Sequence, residues 1–277
     1  MKKTIGLLAF LLLSSNLYAG NFQLDNISQS EVDDLTRELA ADWIFTTVSS
    51  PKMTGDLIPG FGLEIGVVAG ITEAPTWEKL IKEEDPDTDI DKLPYLNLLA
   101  SFSIKPLGLS FELGLIPKQT SDNASIKNTS FGVKWTFLNG AILKTAFRAH
   151  YTNNELKFND TINNSSTGNT DIEAVTEFAT SVYGIQLLAG ADFAIIEPYV
   201  GVGVVRSNSE FKLSATGSTT IFENDITLTA DGSAESDKTS PQALAGFVLD
   251  LFVINIGVEY MYAHETSRIA GKFSINI

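Results

Sequence analysis

Over residues 107–115 the chain reads Leu-Gly-Leu-Ser-Phe-Glu-Leu-Gly-Leu, apolar at every odd position and tiny or polar at every even one. Side chains of a strand alternate between two faces, so such a segment has one oily face and one polar face. The pattern recurs along the chain. Phe61, Leu63, Ile65 and Val67 oppose Gly62, Glu64 and Gly66, while Leu96, Leu98, Ala100, Phe102 and Ile104 oppose Asn97, Ser101 and Ser103. Further on, Phe131, Val133, Trp135 and Phe137 oppose Gly132, Lys134 and Thr136, and Leu143, Phe147, Ala149 and Tyr151 oppose Lys144, Arg148 and His150. Runs around residues 183–187, 200–204, 243–251, 254–262 and 269–277 complete the series.

The connections alternate as regularly as the residues. Short links follow the second, fourth, sixth and eighth strands, at Lys105-Pro106, Leu138-Asn139-Gly140, around Asp192 and at Phe252-Val253. Long polar links follow the first, third, fifth and seventh, at residues 73–94, 118–126, 153–171 and 208–238. Short turns at one end and long loops at the other mark a membrane barrel, whereas a sandwich gives no reason for the asymmetry. The predicted fold is all-β: a transmembrane antiparallel up-and-down β-barrel of about ten strands, or twelve if residues 211–230 add a hairpin, with a short N-terminal helix. Tyr151, Tyr260 and Tyr262 fall toward the long-loop ends and Trp135, Phe137 and Phe273 toward the short turns, as two interfacial girdles require.

Ahead of the barrel, Lys2 and Lys3 precede an apolar run at 5–13, and Leu17-Tyr18-Ala19 ends in a small residue before Gly20. This predicts a signal peptide at 1–19, cleaved after Ala19, followed by an N-terminal segment at 20–57 and the barrel at 58–277. Removing Lys2 and Lys3 leaves 17 basic against 34 acidic residues, a net charge of −17, which argues against nucleic acid as a partner. The absence of cysteine excludes disulfides, thiolate metal sites and a lipid-modified N-terminus.

The amphipathic N-terminal segment, the Ile58-Pro59-Gly60-Phe61-Gly62-Leu63 approach to a glycine-rich first strand, and the successive hairpins together resemble uncharacterised bacterial outer-membrane β-barrel proteins. The resemblance spans nearly all of the mature chain. It implies a fold and a location in the outer membrane, not an activity.

Facing by parity puts Glu64, Glu112, Lys134, Lys144, Arg148, Glu259, Arg268 and Lys272 in the lumen. A four-residue link at 264–267 would set Glu259 opposite Lys272 as a cross-strand ion pair. These charges either neutralise one another in a filled barrel or line a selective passage. A helix is predicted at 30–46, with Ser28 and Glu31 at capping-box spacing and Val32, Leu35, Leu39 and Trp43 on one apolar face; Pro51 bars its continuation. It is either a plug, periplasmic or lumenal, that controls passage, or a helix resting on the rim or a flexible leader.

Asp85, Asp87, Asp89 and Asp91 alternate like the start of a calcium loop. Ile90 replaces the required glycine and Leu96 the bidentate glutamate, which leaves a weak divalent site at most. His150 and His264, with Glu265 beside the latter, are placed near the long-loop rim, where a hydrolase could use them. No Gly-x-Ser-x-Gly or His-Glu-x-x-His motif accompanies them, and no enzymatic activity and no cofactor are expected.

The functional expectation is a narrow channel or transporter for small or apolar solutes, with porin-like architecture. The alternatives are a structural or adhesive barrel with acidic surface loops and, third, a rim hydrolase. The expected partners are outer-membrane lipid and lipopolysaccharide and the barrel-insertion machinery. The protein is expected to be a monomer, and its ligand is left open.

Overall fold

Ten strands close into one ring in the computed structural model, which describes residues 29–55, 59–84, 91–120, 124–164, 170–221 and 224–277. The expected signal peptide, Ser28 and three of the four loop aspartates, Asp85, Asp87 and Asp89, lie outside the described residues. In chain order the elements are α1 (Gln29–Asp42), β1 (Phe61–Glu73), α2 (Pro75–Glu84), β2 (Lys92–Ile104), β3 (Leu109–Thr120), β4 (Ala124–Asn139) and β5 (Leu143–Asn164). There follow β6 (Thr170–Ala191), β7 (Ile196–Ile221), β8 (Asn224–Leu251), β9 (Ile254–Ala263) and β10 (Thr266–Asn276). Each strand pairs antiparallel with its sequence neighbours, and β1 closes on β10 with Glu64 opposite Asn276 and Thr72 opposite Arg268. Backbone bonds exchanged between Leu63 and Ile277, 3.0 and 2.7 Å, finish the seam.

Alternation decides which way each strand turns its side chains. In β9 every second residue from Ile254 to Tyr262 is turned outward while Asn255, Gly257, Glu259 and Met261 are buried within. The outer surface is thus a belt of exposed Ile, Leu, Val and Phe, which only lipid would match. Aromatic pairs border it: Trp135 with Phe137 at 5.7 Å and Phe61 with Phe102 at 5.9 Å near the short turns, and Tyr151 with Tyr183 at 4.9 Å toward the other end.

The long links are mostly not loops. Residues 153–164, 170–171 and 208–221 continue their strands, so β5 to β8 rise far above the rest of the wall. Residues 211–221 and 224–230 do pair with one another, but as the upper ends of β7 and β8, so the count stays at ten. Its polar, threonine-rich composition reads as loop when hydrophobicity is the signal, because neither face of a strand above the bilayer has to be oily. The first long link holds α2.

Three turns differ from the sequence expectation. The link after β2 is a 3₁₀ turn (Lys105–Leu107) closed by Gly108 at φ +68°, so Ile104 faces Leu109 rather than Leu107. At the next, Gly140 N–H donates to the Leu143 carbonyl, and a bulge between Thr136 and Leu138 absorbs the shift. Between β9 and β10 only His264 and Glu265 lie in the turn, at φ +52° and +61°. This is a two-residue turn with both central residues left-handed, normally announced by Asn-Gly.

Candidate functional site: the occupied lumen

The N-terminal segment runs inside the barrel. α1 lies toward the long-loop end, where Leu35, Leu39 and Trp43 pack with Ala74, Trp77 and Phe178, and Leu93, Leu156, Phe158 and Phe211 close around them. Glu38 accepts the backbone N–H groups of Thr76 (2.8 Å) and Trp77 (3.3 Å), so a carboxylate satisfies the free amide end of α2. The helix ends at Asp42, four residues before the expected limit, because Thr46, Thr47 and Val48 are β-branched and Val48 takes φ +47°. From Trp43 to Gly55 the chain is an extended strap that descends to the short-turn end and leaves beside Gly62.

Glycines on the inner wall are cut to the strap's shape. A Cβ on Gly114 would sit 2.6 Å from the Phe45 ring, one on Gly257 2.9 Å from Val48, and one on Gly62 1.7 Å from the Thr54 carbonyl oxygen. The Arg148 guanidinium lies 5.1 Å from the Phe45 ring centre on the polar side.

Polar grips reach the strap from around the ring. From β9, Glu259 accepts from Thr46 at 2.5 Å and also takes the Tyr199 hydroxyl at 2.8 Å. From β10, Arg268 donates to the carbonyls of Asp42 and Ile44, 2.8 and 2.7 Å, with its guanidinium 4.0 Å over the Tyr95 ring. From β4, Lys134 donates to the carbonyls of Ser50 (2.9 Å) and Lys52 (3.0 Å), and Thr136 to that of Pro51 (2.7 Å). From β7, Glu197 accepts from Ser50 Oγ and Lys52 Nζ, both at 2.6 Å, and Asp250 at the end of β8 accepts from Lys52 at 3.0 Å. Burial opposes charge on Lys52, but Glu197 and then Asp250 outweigh it and hold its ammonium above the ordinary lysine range.

All eight charged residues singled out from parity lie on the inner wall and are buried. The structure brings them together in other pairs than parity suggested. Because the β9–β10 turn has two residues rather than four, Glu259 faces Ala270 and Lys272 faces Gly257, so the expected pair does not form. Lys272 instead donates to Glu64 at 2.7 Å, shared with Ser274 at 2.5 Å, and to Ser49 of the strap. Glu112 pairs with Arg148 at 2.7 Å and lies 3.9 Å from Lys134. Lys144 is held by the Asn139 side chain and the Gly140 carbonyl, 3.5 Å from Asp192.

His150 is not at the rim. It faces inward between Gly132 and Gly184, buried, with neither ring nitrogen partnered by protein. His264 is buried in the β9–β10 turn, where burial and then the Arg37 charge lower its pKa to about 4. Asp91 is exposed and pairs with Lys92 at 3.2 Å, and no group of three His, Cys, Asp or Glu able to hold a metal occurs among the described residues.

Sequence reasoning missed the strap itself and its partners Glu197, Tyr199, Asp192 and Asp250. Extending the parity of the seventh strand by three residues, from Val200 back to Glu197, would have put Tyr199 and Glu197 inside. The inward glycines were the further signal, since a wall of glycine needs something else to fill the space.

The closed ring, its oily outer belt and its short-turn asymmetry define an outer-membrane-type β-barrel with an internal N-terminal insert. The chain belongs to a family of unknown function, DUF6588, whose model matches residues 85–274. Among curated protein sequences none matches the chain. Solved structures it is similar to include Ail, the attachment invasion locus protein of Yersinia pestis (9% identity, TM-score 0.26, covering 79% of this chain and 100% of that one). The outer membrane protease OmpT from Escherichia coli is another (9%, 0.35, 82% and 98%), as is the Pseudomonas putida toluene transporter TodX (8%, 0.34, 79% and 88%). At such identities and scores no shared chemistry follows.

Proposed function

We propose that the protein is an outer-membrane channel shut at rest by its own N-terminal strap, with its short turns in the periplasm and small solutes passing only when the strap shifts. The observation that carries this reading is the nature of the grip. Lys134 and Arg268 hold the strap and the last residue of α1 by four backbone carbonyls, and Glu197 and Glu259 hold the strap by hydroxyl and ammonium groups. Water can replace every one of these contacts, whereas a permanently filled core gains more from apolar packing than from buried charge. Behind the strap the wall carries Asn97, Ser101, Ser103, Ser110, Ser130 and Thr152, a surface that hydrates readily once uncovered. At the short-turn end, among the described residues, the strap leaves a cavity of about 20 Å³, room for a single water.

Planar-bilayer recordings test the proposal. The wild-type barrel is expected to give no steady current, and Lys134→Met with Arg268→Met, which cuts the four carbonyl anchors, is expected to give discrete open steps. If the double variant still shows the boiling-dependent gel shift of a folded barrel yet never conducts, the runner-up reading takes its place: a structural or adhesive barrel with acidic surface loops.

A further inference from the structure

The short-turn end of the lumen has the chemistry of a receptor, and Lys52 is its occupant. Its ammonium lies 2.6 Å from Glu197, 3.0 Å from Asp250 and 3.5 Å from Asp192, three carboxylates brought from β7, the end of β8 and the β6–β7 turn. On the other side Lys134 and Thr136 donate to the carbonyls of residues 50, 51 and 52. One edge of the site thus accepts a cation and the other donates to carbonyl oxygen. The cavity beside Lys52 is lined by Glu197, Asp250, Asn255, Lys272 and Asn276. Asn255 and Asn276, each 4% exposed, contribute side-chain carbonyl oxygens with no protein partner. Buried acceptors left unpaired are costly, and a second donor in the cavity would satisfy them.

We propose that this pocket is a binding site for primary alkylammonium groups, filled at rest by Lys52 and, when the strap moves, by the amine of a passing solute that also bears a carboxylate or carbonyl. This deepens the channel reading and rests on it for the passage of solute, but the site itself is defined by Glu197 and Asp250. Lys52 mimics the ligand: a solute amine exchanges one ammonium for another, so the two acids never face the lumen unpaired. A primary amine fits because its three N–H donors can serve both carboxylates and an asparagine oxygen at once. A quaternary ammonium has none to offer.

The test uses the full chain with Lys52→Ala and reads the temperature at which the unboiled barrel loses its fast gel mobility. Loss of the ammonium lowers that temperature, and n-butylammonium chloride is expected to restore at least half of the loss, with n-butanol and tetramethylammonium chloride restoring none. Adding Glu197→Gln and Asp250→Asn is expected to abolish the rescue. Should Lys52→Ala fail to fold, Lys52→Met keeps the stem's packing, and the ammonium ion itself is the probe. Equal rescue by butanol, no rescue in either variant, or rescue that survives loss of both carboxylates would overturn the site. In wild-type bilayers, butylammonium on the short-turn side is expected to raise the frequency of open events over an equal concentration of sodium. Rescue without that increase would contradict the gating reading and leave the site standing.

Discussion

The two halves of the lumen are filled on opposite principles. Toward the long loops, α1 buries Leu35, Leu39 and Trp43 against aromatic and aliphatic side chains from strands and α2, a packing that is strong and indifferent to small shifts. Toward the short turns, the strap sets the carbonyls of Ser50, Pro51 and Lys52 and the hydroxyls of Ser49, Ser50 and Thr54 against polar groups of the wall. Directional contacts of this kind fix register and can each be taken over by water, at about 1.5–3 kcal/mol where the wall group is charged. On the proposed channel reading, the difference puts the start of motion in the lower strap, with the helix holding the segment in place above.

That contrast can be broken most completely at the seam where the strap leaves. Gly62→Val would put side-chain carbon into the Thr54 carbonyl, and the backbone there is held by the pairing of Gly62 with Ser103 of β2 and by the bonds its neighbour Leu63 exchanges with Ile277. The variant is expected to lose the boiling-dependent gel form altogether. Next, Trp43→Ala in the apolar half is expected to cost about 3–5 kcal/mol by denaturant titration, without creating conductance. Thr136→Val in the polar half leaves the buried Pro51 carbonyl without its donor and should cost about 1–3 kcal/mol, less than Trp43→Ala, yet make brief openings measurable in bilayers. If Trp43→Ala opens the barrel and Thr136→Val does not, the assignment of the two halves is reversed.

The smallest effect belongs to His264, at the long-loop end. Its pKa is lowered from 6.5 to about 4 by burial and by Arg37. The folded protein therefore binds this proton less readily than the unfolded chain, and stability attributable to the residue falls as pH drops from about 6.5 toward 4. His264→Gln is expected to flatten that part of the curve of unfolding temperature against pH and to leave it unchanged above pH 7.

Strand alternation was legible because lipid outside and packed polar groups inside leave each wall residue only one choice of side. The same logic placed Glu64, Glu112, Lys134, Arg148 and Lys272 on the inner face. Register was less legible. The His264-Glu265 turn carries no glycine or asparagine, and a two-residue error there paired Glu259 with the wrong partner. The strands above the bilayer were hidden for another reason, since neither face of that sheet has to be oily. Least legible was the strap: Thr46-Thr47-Val48-Ser49-Ser50 looks like a linker until the glycines across the lumen show what it fills.

Occupation of the lumen by the strap is tested most directly by thiol accessibility, for which the cysteine-free chain is a ready background. Thr47→Cys lies at mid-strap, where the native residue is 1% exposed and within reach of Glu112; Glu265→Cys marks the open rim. In the folded barrel a small charged thiosulfonate is expected to modify the rim thiol at once and to leave position 47 unmodified until the strap is released by Lys134→Met with Arg268→Met. Immediate modification at position 47 in the otherwise wild-type barrel would mean that the lumen is open and that the strap is not its plug.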